Sequence, residues 1–339
     1  MNLDHGMIAY SPDTDMTAAS NILVLATGGT IAQSSDSTRM LSIEDILKSV
    51  PGIDSQSRVV SEQLFEVVSP DINPGHWMIL GERVNKALTS DGYDSVVVTH
   101  GTDTLEETAF YLNLVVDSTK PVIVVGSMRK SDSLNADGPI NLYNALAVAA
   151  SPQSVGLGVL VTTNGQIESA RDVAKHHTTA IEAFRSPLFG SLGCVHDGHV
   201  SFYRSPMRRH TNRSEFSASA ISELPRTDIF IGYAGVGREG LDALRLAGAK
   251  GVVIAGTGDG SIPSALMPAV RDLLDAGIVV VRSSRTGSGI VTRNGESDDD
   301  AEGLVVADSL NPQKARVLLM LALTRTTDVT AIQECFSCY

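Results

Sequence analysis

Cysteine and tryptophan are scarce in this sequence of 339 residues, which contains three cysteines and one tryptophan. Three cysteines cannot all pair within one chain, and the CxxC formed by Cys335 and Cys338 has no second pair to complete a zinc site. The sequence also lacks an apolar run of about 18 residues, the length that a membrane-spanning helix needs. These absences argue against a disulfide framework, a zinc module and a helical membrane protein.

Positive charge is also in short supply, since the net charge is −13 and the isoelectric point is near 5.0. Such a surface does not favour nucleic acid or anionic membranes as partners. The first twenty residues are polar and acidic, without the basic segment and apolar stretch of a secretory signal. We therefore expect a cytoplasmic protein, or a periplasmic one if a leader preceded this sequence.

Short apolar runs rich in β-branched residues recur along the chain, and most end at a glycine or a small polar residue. The runs are Ile22–Ala26, Ser95–Val98, Val122–Val125, Gly158–Val161, Ile229–Ile231, Val252–Ala255 and Ile278–Val281. Runs without polar alternation are typical of strands buried on both faces of a parallel sheet. Helical patterns separate them, and Asn311 followed by Pro312 predicts the start of one helix.

This alternation predicts an α/β protein with a large N-terminal domain, built on a mainly parallel sheet, and a smaller C-terminal α/β domain. Residues 203–227, rich in arginine and serine, interrupt the pattern and are predicted to link the two. The predicted division is a disordered N-terminal extension at 1–20, a domain at 21–202, the linker, and a domain at 228–339. A long surface loop within one domain is the alternative interpretation of 203–227.

Two turns rich in glycine and threonine follow predicted strands, at Thr27–Thr30 and at Thr99–Thr104. Ligands of parallel sheets bind beyond the carboxyl ends of the strands, so these turns are candidate site elements. Neither turn matches a nucleotide-binding motif, and the chain has no G-x-S-x-G motif. A threonine hydroxyl is a feasible nucleophile if a group such as Asp103 or Lys175 removes its proton. The histidines show no metal-ligand spacing, so no metal site is predicted.

The segments Thr27–Ala32 and His100–Ala109 resemble the two signatures of the asparaginase/glutaminase family in its bacterial type, nearest the type II branch. The resemblance continues through Ala136–Pro139, Asn141–Ala145, Arg171–Lys175, Arg282–Arg285 and Asn311–Arg316. It implies a two-domain hydrolase that converts a side-chain amide to a carboxylate and ammonia without a cofactor. It also implies a homotetramer, a dimer of dimers, with each active site between neighbouring chains.

The resemblance also implies roles for individual residues. Thr30 corresponds to the threonine nucleophile, while Thr102, Asp103 and Lys175 match a cluster that activates a hydroxyl or water. The implied substrate-binding residues are Gly29, Ser69, Thr102, Asp103 and Glu296. Glu296 is expected to come from a neighbouring chain.

Three positions depart from the family pattern where the family contacts its substrate. The segment between Gln33 and Leu41 lacks the tyrosine of the family's lid, Pro70 replaces a polar residue after Ser69, and Gly235 stands where some relatives have a polar side chain. The sequence therefore predicts intact amide-cleaving machinery with altered recognition, acting on asparagine or a related β- or γ-amide. The alternatives are a catalytically weak protein that binds or senses a small amino acid or amide, and an amidotransferase subunit, which the acidic charge disfavours.

Overall fold

The computed structural model describes residues 20–33, 41–50 and 57–339. Most of the predicted N-terminal extension and of the segment expected to form the lid lie outside the described residues. Ser20, predicted to belong to the extension, instead begins the first strand. The described residues form two main sheets, one within residues 20–202 and one in the C-terminal part.

The N-terminal part forms an eight-stranded sheet and a separate two-stranded ribbon. Its strands are β1 (Ser20–Ala26), β2 (Ser57–Gln63), β3 (Ser95–Thr99), β4 (Val122–Val125), β5 (Val159–Thr163), β6 (Gln166–Ser169), β7 (Ala174–Lys175), β8 (Phe184–Arg185), β9 (Gly193–His196) and β10 (His199–Phe202). The large sheet runs β10-β9-β6-β5-β4-β3-β1-β2, and β7 pairs with β8 in the ribbon.

Parallel pairing dominates the half of the large sheet that carries the two threonine-rich turns. Strands β1 to β5 pair in parallel, whereas β6, β9 and β10 add an antiparallel edge. The register aligns Ala26 at the end of β1 with Thr99 at the end of β3. Because parallel strands end at one edge of a sheet, the turns after β1 and β3 lie side by side.

Helices cover both faces of the large sheet. The helices of the described residues are α1 (Ile43–Lys48), α2 (Pro74–Thr89), α3 (Leu105–Val115), α4 (Gly138–Ala150), α5 (Glu239–Leu246), α6 (Met267–Asp275), α7 (Asp299–Glu302), α8 (Pro312–Ala322) and α9 (Val329–Cys338). In β1, Ile22 and Val24 pack toward α1 and α4, while Leu23 and Leu25 pack toward α2 and α3. The alternation of side chains along a strand thus buries both faces of β1.

The C-terminal part contains a four-stranded parallel sheet in the order β11-β12-β13-β14. Its strands are β11 (Thr227–Ile231), β12 (Gly251–Gly256), β13 (Val279–Ser284) and β14 (Val305–Val306). Helices α5 and α6 cover one face, and α8 and α9 cover the other. The predicted mainly parallel large sheet with a smaller α/β unit is confirmed.

Helix α8 joins the two parts of the molecule. Its apolar residues, such as Val317 and Leu318, belong to the same hydrophobic cluster as α3 and β12. The helix begins as predicted, because the side chain of Asn311 caps it and Pro312 occupies its first position. In the predicted linker, Phe216 and Ile221 are buried in that cluster. The domain boundaries themselves remain a prediction.

Candidate active site

The turns after β1 and β3 are in direct backbone contact. Gly28 and Gly29 adopt φ angles of 104° and 88°, which residues with a side chain rarely adopt. A Cβ atom on Gly29 would lie 2.3 Å from Cα of Gly101. Only glycine therefore allows the two turns to approach this closely. The contact brings Thr30, which follows Gly29, and Thr102, which follows Gly101, to the same edge of the sheet.

Thr30 lies at the start of a short 3₁₀ turn, Thr30–Ala32, and its side chain is partly exposed. The turn is closed by a hydrogen bond from the backbone N–H of Gln33 to the carbonyl of Thr30. Across the sheet edge, a Cβ atom on Gly138, at the start of α4, would lie 3.1 Å from the Ile31 side chain. The residue predicted as nucleophile thus lies between buried neighbours with its own side chain accessible.

Ser69 ties a third loop to the turn after β3. Its hydroxyl accepts a hydrogen bond of 3.1 Å from the backbone N–H of Asp103, and its carbonyl accepts one of 2.8 Å from the hydroxyl of Thr104. Ser69 is buried. Since a serine hydroxyl can accept and donate at once, its proton remains able to donate to a ligand.

Lys175 brings the predicted catalytic cluster together. It lies on β7, and its Nζ atom is 2.9 Å from Oγ1 of Thr102 and 2.5 Å from Oδ1 of Asp103. The lysine side chain is 15% exposed, whereas the Asp103 side chain is 58% exposed. The Lys175 nitrogen is thus held between a buried hydroxyl and a carboxylate that solvent or a ligand can reach.

A cavity of about 360 Å³ opens next to this cluster. Asp103 and Lys175 line it together with Glu107, His176 and Gln313. Thr30 and Ser69 are not among its lining residues. The cavity therefore reaches the lysine side of the cluster, and its size falls within the range of small-molecule sites.

Glu106 fixes the backbone of Lys175, a contact that the sequence did not suggest. One oxygen of its buried carboxylate accepts a hydrogen bond of 2.6 Å from the backbone N–H of Lys175. The other oxygen accepts one of 2.7 Å from Nδ2 of Asn311. Lys314 lies in the first turn of α8, the helix that Asn311 caps. Its Nζ atom donates to the carbonyls of Arg171, at 2.8 Å, and Val173. Burial lowers the pKa of Lys314 to about 8.

A buried chain of hydrogen bonds supports the turn after β3 from below. Nε1 of Trp77 donates to Thr108 Oγ1 at 2.9 Å, and Thr108 Oγ1 lies 2.9 Å from His100 Nε2. His100 Nδ1 lies 2.7 Å from the carbonyl of Gly101. Burial lowers the pKa of His100 to about 4. The ring is therefore neutral, with its proton on Nδ1 and Nε2 accepting from the threonine.

Glu296 lies apart from this cluster within the chain. It is exposed and accepts a hydrogen bond of 3.2 Å from Ser261. Among the described residues, no hydrogen bond or ion pair joins it to the candidate site of the same chain. Its loop is anchored by Arg282 and Asp299, a fully buried ion pair at 2.7 Å. Arg282 also donates to the carbonyl of Thr292 in the same loop, at 2.7 Å.

Two of the three departures can be located. Pro70 is exposed and belongs to a 3₁₀ turn, Ser69–Asp71. Gly235 has φ of 79°, a left-handed conformation in which a residue with a polar side chain would be strained. Residues 34–40 of the expected lid lie outside the described part of the chain. Within the described part, no group of three or more histidine, cysteine, aspartate or glutamate side chains is arranged to hold a metal, and no helix has the length and apolar character to span a membrane.

Comparisons with known proteins match nearly all of the chain. Residues 21–208 match the family described as "Asparaginase, N-terminal", and residues 226–336 match the "Glutaminase/Asparaginase C-terminal domain". A glutaminase-asparaginase of Pseudomonas fluorescens biotype A is 45% identical, with 94% of this chain and 91% of the relative covered. A probable periplasmic L-asparaginase of Haemophilus influenzae is 44% identical, with 93% and 92% covered. A solved probable cytoplasmic L-asparaginase of Campylobacter jejuni superposes with a TM-score of 0.90 at 43% identity, covering 94% of this chain and all of the other.

Proposed function

Because this chain belongs to the asparaginase/glutaminase family, we propose that it hydrolyses a side-chain amide to a carboxylate and ammonia through an acyl-enzyme on Thr30. The names of its relatives support the reaction class. The observation that carries the residue assignment is the position of Lys175 Nζ, within 3 Å of both Thr102 and Asp103.

The proposed reaction has two steps. In the first, the Thr30 oxygen forms a bond to the amide carbon, the carbon–nitrogen bond breaks, and the leaving nitrogen departs as ammonia with the threonine proton. In the second, the oxygen of water forms a bond to the ester carbon and the bond to the Thr30 oxygen breaks. One water proton restores the Thr30 hydroxyl, and the other is released when the carboxylic acid ionises to the carboxylate. An amide is a poor electrophile, so division into two steps lowers the highest barrier. Backbone N–H groups of the turn that includes Gly29 would stabilise the oxyanion.

Lys175 and Thr102 are proposed to carry the proton. A neutral lysine amine can accept the Thr102 proton while that hydroxyl accepts one from the attacking group, and reversal of both transfers delivers a proton to the leaving nitrogen. Asp103, 2.5 Å from the lysine nitrogen, stabilises the ammonium form that results. The contacts of this cluster all lie within the N-terminal part of the chain.

Ser69 and Asp103 are proposed to bind the α-carboxylate and the α-ammonium of the substrate. The Ser69 hydroxyl has a proton left to donate, since it accepts from the N–H of Asp103. The exposed part of the Asp103 carboxylate offers an acceptor. Pro70 provides neither an acceptor side chain nor an N–H next to Ser69. We therefore propose asparagine or a related β- or γ-amide, with weakened recognition of a free α-ammonium group.

The nucleophile assignment is tested by substitution and by mass. Thr30→Ala is expected to lower kcat by about four orders of magnitude or more, while Thr30→Ser retains measurable ammonia release. Intact-protein mass spectrometry during turnover of a slow amide should show an acyl adduct on wild type and none on Thr30→Ala. Thr89→Ala, on the exposed end of α2, is the matched control and should keep wild-type activity. Undiminished activity of Thr30→Ala would exclude Thr30 as the nucleophile.

The substrate assignment is tested with a panel of amides. Ammonia release is measured from L- and D-asparagine, L- and D-glutamine, succinamic acid and N-substituted asparagines. Each lost hydrogen bond to a charged group weakens binding by roughly 1.5–3 kcal/mol. Because the free α-ammonium group of L-asparagine would lack such partners, succinamic acid or an asparagine substituted on its α-nitrogen should equal or exceed L-asparagine in kcat/KM. A kcat/KM for L-asparagine far above every other amide would show that recognition is not altered.

We also propose a homotetramer in which Glu296 completes a site of the neighbouring chain. Its exposure, and the rigid anchoring of its loop by Arg282 and Asp299, support a role outside its own chain. Subunits with Thr30→Ala and with Glu296→Ala should each be inactive alone. Random mixed tetramers should recover activity in about one quarter of their sites, because each such site has both residues intact. No recovery on mixing, with hybrid tetramers verified by native mass spectrometry, would contradict a shared site.

A cytoplasmic location is proposed from the sequence, and relatives described as cytoplasmic and as periplasmic are both known. Fractionation of the source cells with compartment markers tests this directly. Recovery of the protein in the periplasmic fraction would correct the proposal.

A further inference from the structure

The start of helix α8 lies against the segment that carries Lys175, although the two are more than a hundred residues apart in the chain. Asn311 caps the helix by accepting the N–H of Lys314 on Oδ1, at 3.0 Å. This fixes the amide orientation, so Nδ2 must face Glu106 Oε1 at 2.7 Å. The second oxygen of Glu106 accepts the N–H of Lys175 at 2.6 Å.

Lys314 also binds the segment that carries Lys175, at the residues that precede this lysine. Its ammonium group donates to the carbonyls of Arg171 and Val173, which come just before Lys175. The Lys314 side chain is almost fully buried. Helix α8 therefore contacts the lysine-bearing segment at two points, through Lys314 directly and through Asn311 and Glu106.

Glu106 also connects the two halves of the catalytic cluster. It lies in the first turn of α3, directly after the turn that holds Thr102 and Asp103, and it binds the backbone of Lys175. A lysine side chain has several rotatable bonds, so its nitrogen reaches two acceptors reproducibly only if its backbone is fixed. Misplacement of a reacting group by about 1 Å can cost 10²-fold in rate. The Glu106 carboxylate sets the distance between these two parts of the cluster.

We propose that Glu106 and Asn311 are positioning residues for Lys175, through which the C-terminal domain sets the geometry of the proton relay in the N-terminal domain. The proposal rests on the proposed function of Lys175. It explains why a carboxylate is buried here although both of its hydrogen-bond partners are neutral. Both partners are donors, so the position needs two acceptors, and a glutamine side chain has only one.

The test inverts the polarity of the Glu106–Asn311 hydrogen bond. In Glu106→Gln, the amide must turn its NH₂ group toward one of two donors. In Asn311→Asp, the cap is kept but two carboxylates face each other. The double variant restores every hydrogen bond. Its new amide at position 106 can donate to the new carboxylate at position 311, while the amide oxygen accepts the N–H of Lys175.

We expect each single variant to lower kcat about 10- to 100-fold, with KM changed less than about twofold, since the substrate contacts of Ser69 and Asp103 are untouched. The double variant should return kcat to within about threefold of wild type. Asn311→Ser retains a capping side chain too short to reach Glu106 and should resemble Glu106→Gln in kcat. A loss of thermal stability with unchanged kcat, or a double variant no better than Glu106→Gln, would overturn the proposal.

A second readout separates this proposal from the proposed function. The acetylation rate of Lys175 by an amine-reactive ester is measured by peptide mass spectrometry, with exposed Lys48 as the internal standard. Glu106→Gln should change the ratio of the two rates at least about threefold, and the double variant should restore it. If wild type hydrolyses no amide, the function fails, while the labelling ratio still decides the positioning role. An unchanged ratio in Glu106→Gln would refute that role whatever the activity.

Discussion

Thr108 holds together the buried network beneath the site, and its replacement by valine should be costly. The hydroxyl accepts from Trp77 Nε1 and donates to His100 Nε2. Valine has nearly the same shape but leaves both partners buried without a hydrogen bond. Each unsatisfied buried group costs about 1–3 kcal/mol, so the two groups left by Thr108→Val should lower the free energy of unfolding by about 2–6 kcal/mol.

Thr162 on β5 provides the matched control. It is equally buried, but its hydroxyl has no hydrogen-bond partner among the described residues. Thr162→Val removes an unsatisfied polar atom and should be neutral or stabilising, by up to about 1 kcal/mol. Two chemically identical substitutions at equal burial should thus differ in sign or by several kcal/mol.

The assay is urea-induced unfolding of the three proteins at one protein concentration, since association shifts apparent stability. The single tryptophan of the chain, Trp77, belongs to the network, so its fluorescence reports the site and circular dichroism reports the whole fold. Equal free energies of unfolding for Thr108→Val and Thr162→Val would refute the reasoning. Thr108→Val should also lower kcat, because the His100 ring keeps only one of the two hydrogen bonds that orient it beneath the turn that holds Thr102 and Asp103.

Three further predictions concern other buried groups. Burial lowers the pKa of His100 and of His210 to about 4, below the value of about 6.5 in an unfolded chain. The unfolded state alone takes up these protons as the pH falls from about 6.5 to 4. The free energy of unfolding, measured by urea titration, should therefore be roughly 2–3 kcal/mol lower at pH 5.5 than at pH 7.5. A free energy of unfolding that does not change between these pH values would contradict this. Arg282→Met should destabilise the fold by about 3–5 kcal/mol, because it leaves the Asp299 carboxylate buried without its partner. Adding Asp299→Leu should recover part of this loss in the same assay, and a double variant less stable than Arg282→Met would contradict the explanation. Burial raises the pKa of the Cys335 thiol to about 12, so iodoacetamide at pH 8 should label it only after denaturation; rapid labelling of the folded protein would refute that.

The buried parallel strands could be predicted from the sequence because their signal is local. Runs such as Val122–Val125 are apolar without interruption, and β4 has those bounds. The edge strands of the large sheet were not predicted. Strand β2, Ser57–Gln63, is polar and only half-buried, and β10 likewise pairs on one side alone. An edge strand needs less apolar sequence, so its pattern resembles that of a loop.

For the candidate site, the ends of strands and the family resemblance predicted the cluster of Thr102, Asp103 and Lys175, and the structure brings these side chains into contact. The supporting contacts were not predicted. Asn311 was recognised as a helix cap, but the partner of its Nδ2 group, Glu106, is more than two hundred residues away. Both residues lie in segments that carry the resemblance, yet a motif marks a position without indicating which distant atom it touches.

The contacts of helix α8 have a consequence for how the protein emerges from the ribosome. Glu106 and Lys175 are translated early, whereas Asn311 follows more than a hundred residues later. At roughly 5–20 residues per second, the segment that carries Lys175 is synthesised on the order of ten seconds before the helix that anchors it. A nascent chain can therefore pair its first five parallel strands before its active site is assembled. Arrest of translation ahead of residue 311 should yield an intermediate that has these strands but lacks amide-hydrolysing activity.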